Sequence, residues 1–128
     1  MACCIIVDDH DDTRLGYAEF LHLEGFRVRT AADAEELRVL LRDRLPDAIV
    51  MDLQLPRTDG WALMRELKGD DRTRRIPIVV VSACVLPVER AAARDAGCDA
   101  FLAKPCDPGR IVEEVKRCLG ASGPRGGV

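Results

Sequence analysis

A chain of 128 residues with a formal net charge of -3 has room for one domain around one buried core, and carries no large charge excess. That balance speaks against non-specific binding to nucleic acid or to a membrane surface. No apolar run is long enough to span a bilayer, and Met1-Ala2-Cys3-Cys4 leads into an acidic cluster without the basic start and long apolar stretch of a signal peptide, so a cytoplasmic location is expected. Cysteines at positions 3, 4, 84, 98, 106 and 118 fit neither a secreted disulfide framework nor a zinc pattern, and are read as reduced, buried thiols.

In chain order, Cys4-Ile5-Ile6-Val7 is a short β-branched run ended by Asp8, which predicts a first strand. A helix follows, capped by Asp11 or Asp12, with Leu15, Ala18 and Leu21 inward and Gly25 at its end. Phe26-Arg27-Val28-Arg29 alternates apolar and charged residues and reads as an edge strand. Asp33 with Glu36 has the spacing of a capping box, and Leu37, Leu40 and Leu41 line the helix after it. Ala48-Ile49-Val50-Met51, ended by Asp52, is the next strand; Asp59-Gly60 then opens a helix carrying Leu63, Met64 and Leu67. Ile78-Val79-Val80-Val81, ended by Ser82, is a fourth strand, followed by a helix with Pro87 in its first turn and Gly97 after its last. Ala100-Phe101-Leu102 is the other expected edge strand. Asp107-Pro108 starts a last helix with Ile111, Val115 and Leu119 on one face and Gly120 as its stop.

Strict alternation of five strands with five helices implies a doubly wound α/β domain, a parallel sheet covered by helices on both faces and joined by right-handed crossovers. Edge-like strands in second and fifth place give the sheet order 2-1-3-4-5. The domain is expected to span 1–120. Residues 121–128, rich in glycine, are expected to form a flexible C-terminal tail or the stub of a linker.

Ligands of such a sheet sit beyond the carboxyl ends of the strands. Those ends carry Asp8 and Asp9, Asp52, Ser82, and Lys104 followed by Pro105. Three carboxylates brought together repel unless a cation lies among them, and oxygen ligands alone suit a hard ion such as Mg²⁺. Magnesium bridges carboxylates to phosphate oxygens. Lys104 adds a second positive charge and Ser82 a hydroxyl donor, as phosphoryl transfer requires. A carboxylate at the centre can be the nucleophile and form an aspartyl phosphate.

The set Val7-Asp8-Asp9, Met51-Asp52-Leu53-Gln54-Leu55-Pro56 with Asp59-Gly60, Val81-Ser82-Ala83 and Lys104-Pro105 resembles the receiver domain of bacterial response regulators, the chemotaxis-type, CheY-like fold with flavodoxin-like topology. The resemblance covers residues 3 to 119. It implies that Asp52 is the phospho-acceptor, that Asp9 ligates Mg²⁺ directly with Asp8 assisting, and that the Gln54 backbone carbonyl is a further ligand. It implies that Ser82 and Phe101 are the switch residues, that Lys104 pairs with the phosphoryl group, and that the Lys104-Pro105 peptide is cis. The implied function is a response regulator receiver in a two-component phosphorelay. It takes its phosphoryl group from a sensor histidine kinase or a phosphotransfer protein and passes the signal to a downstream protein target. It is no enzyme beyond its own phosphorylation and dephosphorylation, and is a monomer or a phosphorylation-dependent dimer. No DNA-binding or catalytic segment follows Leu119, so output is expected through contact with another protein; the alternative is that the chain is a fragment of a longer regulator.

Several positions depart from the commonest residues of that family. Phe101 lacks a hydroxyl, Thr58 stands where Met is frequent, and Cys106 where Phe often follows Lys-Pro. Gln54 and Cys84 lie at positions thought to tune phosphate lifetime. His10, beside the acidic cluster, is read as solvated rather than as a metal ligand; His22 is read as a surface residue, Trp61 and Phe20 as packing residues. Arg72, Arg74 and Arg75 read as a solvated loop, and Arg90 and Arg94 mark a fourth-helix face that receivers commonly offer to partners. Two other classes compete. A phosphate-independent binding module could use the same fold. A flavodoxin-type cofactor binder would need a Ser/Thr/Gly-rich loop where this chain has Asp8-Asp9-His10-Asp11-Asp12, and a haloacid-dehalogenase-type phosphatase would need Asp where it has Gln54.

Overall fold

The computed structural model describes residues 2–83 and 86–121. The strands β1 (Cys3–Val7), β2 (Arg27–Ala31), β3 (Ala48–Met51), β6 (Ile78–Ser82) and β7 (Ala100–Ala103) form one parallel sheet in the order β2-β1-β3-β6-β7. This is the predicted 2-1-3-4-5 order, with a short antiparallel hairpin, β4 (Gln54–Leu55) and β5 (Thr58–Asp59), inserted after β3. The helices are α1 (Asp11–Leu23), α2 (Ala34–Asp43), α3 (Gly60–Gly69), α4 (Pro87–Asp95) and α5 (Pro108–Ala121).

The apolar runs of the central strands are continuous because both of their faces are covered. Ile5, Val7, Ile49, Met51, Ile78 and Val80 meet Leu37 and Leu41 of α2, Leu63, Met64 and Leu67 of α3, and Ala93 of α4. The alternate residues Cys4, Ile6, Val50, Val79 and Val81 meet Tyr17 and Leu21 of α1 and Ile111, Val112, Val115 and Cys118 of α5. The sheet therefore separates two apolar clusters, and every side chain of β3 is buried.

Local chemistry sets the helix ends. Asp33 accepts a hydrogen bond from the Glu36 N–H at 2.8 Å, and Glu36 returns to the Ala32 N–H at 2.8 Å, one residue earlier than a standard capping box. Asp59 caps α3 through the Trp61 N–H, and Asp107 accepts from the Gly109 N–H. Pro87 begins α4, and Gly97 takes a positive φ of 110° just past its end.

Four details of the sequence reading are corrected. The residue before α1 is His10, whose side chain makes no cap hydrogen bond; Asp11 and Asp12 lie in the first turn, where their charge favours the helix dipole. Leu15 points to solvent, and Tyr17 takes the buried place on α1, because the inward stripe runs through 17 and 21. The edge strand starts at Arg27; Phe26 precedes it and is buried. Gly120 does not stop α5, which continues to Ala121. The expected tail beyond 121 and Cys84 lie outside the described residues. Of the other thiols, Cys4 and Cys118 are buried, while Cys3, Cys98 and Cys106 are only partly so. His22 is exposed as expected, and Trp61 packs against the core at partial burial. Phe20 is more exposed than a packing residue should be. Among the described residues, no helix is long and apolar enough to cross a membrane.

Candidate functional site

The carboxyl ends of β1, β3, β6 and β7 converge, and the ladder continues one residue past three of them. The Asp8 N–H donates to the Ala31 carbonyl at 3.1 Å, the Asp52 N–H to the Val7 carbonyl at 3.0 Å, and the Lys104 N–H to the Ser82 carbonyl at 2.9 Å. Each polar residue is thus fixed by the sheet itself, although its side chain lies beyond the strand. Rigid placement of this kind is what a reactive constellation needs.

Lys104 Nζ bridges two carboxylates, 2.9 Å from Asp8 Oδ2 and 2.8 Å from Asp52 Oδ2. Both acids are buried, with Asp8 2% and Asp52 3% exposed, and Ser82 is fully buried beside them. Burial opposes the Lys104 charge, but its hydrogen bonds and attraction to Asp52 and Asp8 outweigh that cost. The net effect raises its pKa above the ordinary lysine value and holds it as an ammonium. The Lys104-Pro105 peptide is cis, as expected.

The remaining carboxylate oxygens are held by backbone. Asp52 Oδ1 accepts from the Gln54 N–H at 2.9 Å, and Asp8 Oδ1 from the His10 N–H at 2.9 Å. The Gln54 N–H that meets Asp52 thus belongs to the same residue whose backbone carbonyl is expected as a metal ligand. Asp9 is more open, and Asp8, Asp9, Asp52 and His10 bring potential ligand atoms within 4.8 Å of one another. Formally, three carboxylates and one ammonium leave two negative charges, which one divalent cation would neutralise. The oxygen donors fit a hard ion.

Sequence reasoning missed three supports. Arg14 anchors the loop, with Nη1 donating to the Asp8 carbonyl at 2.9 Å and Nη2 to Asp11 at 2.7 Å. The close approach of Gly60, whose N–H donates to the Leu53 carbonyl, fixes the chain just after Asp52. The buried Tyr17 comes near Lys104 across an open cavity of about 530 Å³ between the start of α1 and the loop after β7. The spacing from an acidic loop to Arg14 was a usable signal; the other two contacts depend on tertiary approach.

Phe101 is half-buried and packs against the α2/α3/α4 cluster, with the Arg90 guanidinium 5.4 Å from its ring centroid. Arg90, Arg94 and Phe101 share a surface cavity of about 300 Å³. Arg72, Arg74 and Arg75 are exposed, as read, and two of them are also anchored: Arg72 donates to the Leu41 carbonyl at 3.1 Å and Arg74 pairs with Asp71 at 3.0 Å. Thr58 sits in the hairpin opposite Leu55.

Comparison with known proteins agrees with this geometry. Residues 4–116 match the model of the response regulator receiver domain. The chain is 31% identical over 116 residues to the polar-differentiation response regulator DivK of Brucella anthropi, covering 91% of this chain and 94% of that one. A putative response regulator from Chloroflexus aurantiacus superposes with a TM-score of 0.87 at 33% identity, over 93% of this chain and 98% of that chain. The chemotaxis response regulator CheY4 of Vibrio cholerae shares the fold, with a TM-score of 0.86 at 24% identity over 92% of this chain and 98% of that chain. With its five-stranded flavodoxin-like sheet and its acidic crevice at the strand ends, the chain belongs to the CheY-like response regulator receiver domains of two-component signalling.

Proposed function

We propose that the chain accepts a phosphoryl group on Asp52 from a phosphohistidine of a sensor kinase or phosphotransfer protein, with Mg²⁺ held by Asp8, Asp9 and Asp52. The observation that carries the reading is the buried Asp8–Lys104–Asp52 bridge at the convergence of the strands. An Asp52 carboxylate oxygen attacks phosphorus, the N–P bond of the donor breaks, and an O–P bond forms as the donor imidazole leaves. The ion, when bound, offsets charge on the phosphoryl oxygens. Lys104 holds its ammonium beside the reacting carboxylate, and the Gln54 N–H fixes the carboxylate's orientation. Water later cleaves the acyl phosphate, so the chain acts on no substrate but its own modification.

The output in this reading is a protein-binding face made by α4 and β7. Phe101 lies under Arg90, so a Ser82-coupled movement of the ring would displace that guanidinium and reshape the face. Leu86, exposed at the cap of α4 one turn before Arg90, extends this surface with apolar area.

Incubation with Mg²⁺ and acetyl phosphate, followed by intact mass measurement, tests the proposal. Wild type should gain the mass of one phosphoryl group and Asp52→Ala none. Lys104→Ala, losing a charge at the reacting oxygens, should label about a hundredfold more slowly. Equal labelling of wild type and Asp52→Ala would end this reading.

A further inference from the structure

We propose that the cavity between the start of α1 and the loop after β7 binds a small amine or amidine carried on a planar apolar body, with the Tyr17 hydroxyl as its buried hydrogen-bond partner. The cavity has a volume of about 530 Å³. Sites for small molecules commonly enclose about 300–1,000 Å³. Tyr17 lines it and is only 8% exposed, yet its hydroxyl meets no hydrogen-bond partner among the described residues. Buried polar groups are rarely left unpaired, so this hydroxyl is satisfied only by something that enters the cavity.

Two features of the sequence keep the space open. Thr13, Gly16 and Tyr17 fall on one face of α1, at spacings of three and four residues, and all three line the cavity. Gly16 supplies no side chain there, and a Cβ added to it would meet nothing within 4 Å. Close packing therefore does not reserve the position for glycine, although glycine inside a helix is less favourable than alanine. On the other side stand Pro105 and Pro108, whose rings fix the backbone φ. The walls are thus formed before a ligand arrives.

The lining decides the class of ligand. The Tyr17 ring, Pro105, Cys106 and Pro108 offer apolar contact. Lys104 also lines the cavity, but its ammonium is already held by Asp8 at 2.9 Å and Asp52 at 2.8 Å. Asp12 adds an exposed carboxylate that pairs with no cation among the described residues. The local charge therefore favours a cation and repels carboxylates and phosphates. Burial, and then the Cys106 thiol, raises the Tyr17 pKa, with Asp8 and Asp52 adding to this and Lys104 opposing it. The phenol keeps its proton, and its oxygen accepts an N–H of the ligand. The competing account is a hydroxyl satisfied by solvent alone, in which case amine binding would not depend on it.

The test titrates the isotopically labelled chain with benzamidine, a planar ring bearing an amidinium, and follows backbone amides by two-dimensional nuclear magnetic resonance. Excess Mg²⁺ is kept present so that the acidic crevice does not compete. Benzoate, the same ring with the opposite charge, is the control. Benzamidine should shift the amides of Gly16, Tyr17 and Cys106 saturably, with half-saturation at about 1 mM, and benzoate should bind at least about tenfold more weakly. Tyr17→Phe, which keeps the ring in the core and removes only the hydroxyl, should weaken benzamidine about fivefold. Gly16→Leu, which fills the space from the helix side, should abolish the shifts. Benzamidine binding that maps elsewhere, equal binding of benzoate, or unchanged affinity in Tyr17→Phe would overturn the proposal. Shifts at the same residues that grow with protein concentration alone would make a second copy of the chain the occupant, and would overturn it as well. None of these outcomes depends on phosphorylation of Asp52.

Discussion

Burial acts on Lys104 and on Cys4 with different results, and the difference lies in their neighbours. Lys104 keeps its charge because two carboxylates face it at hydrogen-bond distance. Cys4 is 1% exposed in the α1/α5 cluster, and burial, reinforced by Asp47 and Cys3, pushes its thiol up to about 12 from an ordinary value of 9.0. A thiol whose pKa is raised in the folded state holds its proton after the unfolded chain has lost it. Its contribution to stability is whole below the unfolded value of 9.0 and is lost as pH rises through about 12. Lys104 has the same sign: its raised value stabilises the fold below the ordinary lysine range and stops doing so above it. Urea denaturation at pH 8 and pH 10.5 should therefore show wild type losing stability on the alkaline side. Cys4→Ala should start less stable but fall less steeply. Equal slopes would mean that the thiol is not the titrating group.

At the scale of elements, the turn from β3 to α3 connects stability with function. Asp52 and Leu53 leave the sheet, the hairpin of β4 and β5 turns at Pro56 and Arg57, and Asp59 caps α3. Arg57 takes a left-handed φ of 57°, a conformation that usually favours Gly or Asn. Gly60 lies so close to Leu53 that a Cβ there would collide with the Leu53 backbone. Backbone cannot give way as a side chain can, so Gly60→Ala must push the Asp52–Leu53 segment out of place. The expected cost is about 2–3 kcal/mol in a denaturant melt, with labelling of Asp52 by acetyl phosphate slowed at least about tenfold. Ala62, exposed in the first turn of the same helix, offers a control: Ala62→Gly should cost at most about 1 kcal/mol and leave labelling at the wild-type rate.

For the whole molecule, the sheet is the shared wall of two clusters, and its central strand ties them together. Ile49 is fully buried on the α2/α3/α4 side, and its neighbour Val50 on the α1/α5 side. Ile49→Ala should destabilise the fold by about 3 kcal/mol, from lost transfer and from the cavity left in a site with little room to collapse. Because both clusters pack on the same strand, unfolding followed by far-ultraviolet circular dichroism and by Trp61 fluorescence should stay coincident in this variant. Separate midpoints would show the two faces unfolding independently.

The sequence by itself determined the five strands of the sheet, the five helices, their order and the residues at the strand ends, though not the short hairpin of β4 and β5. Continuous apolar strands could be read because both faces are buried, and Asp8, Asp9, Asp52, Ser82 and Lys104 could be read because each follows such a run. Local caps at Asp33, Asp59 and Asp107 were visible for the same reason: they depend on residues within three positions of one another. Only the tertiary structure decided what depends on approach between distant segments. The phase of α1 was one such case, since Leu15 and Tyr17 are both plausible inward residues until α5 packs against the helix. The Gln54 N–H on Asp52, the clash that reserves position 60 for glycine, and the placing of Arg90 over Phe101 were others. The bridge from Lys104 to two acids at sequence separations of 96 and 52 residues belongs to the same class. No local pattern encodes it, because the hydrogen bonds of the sheet bring those three side chains together.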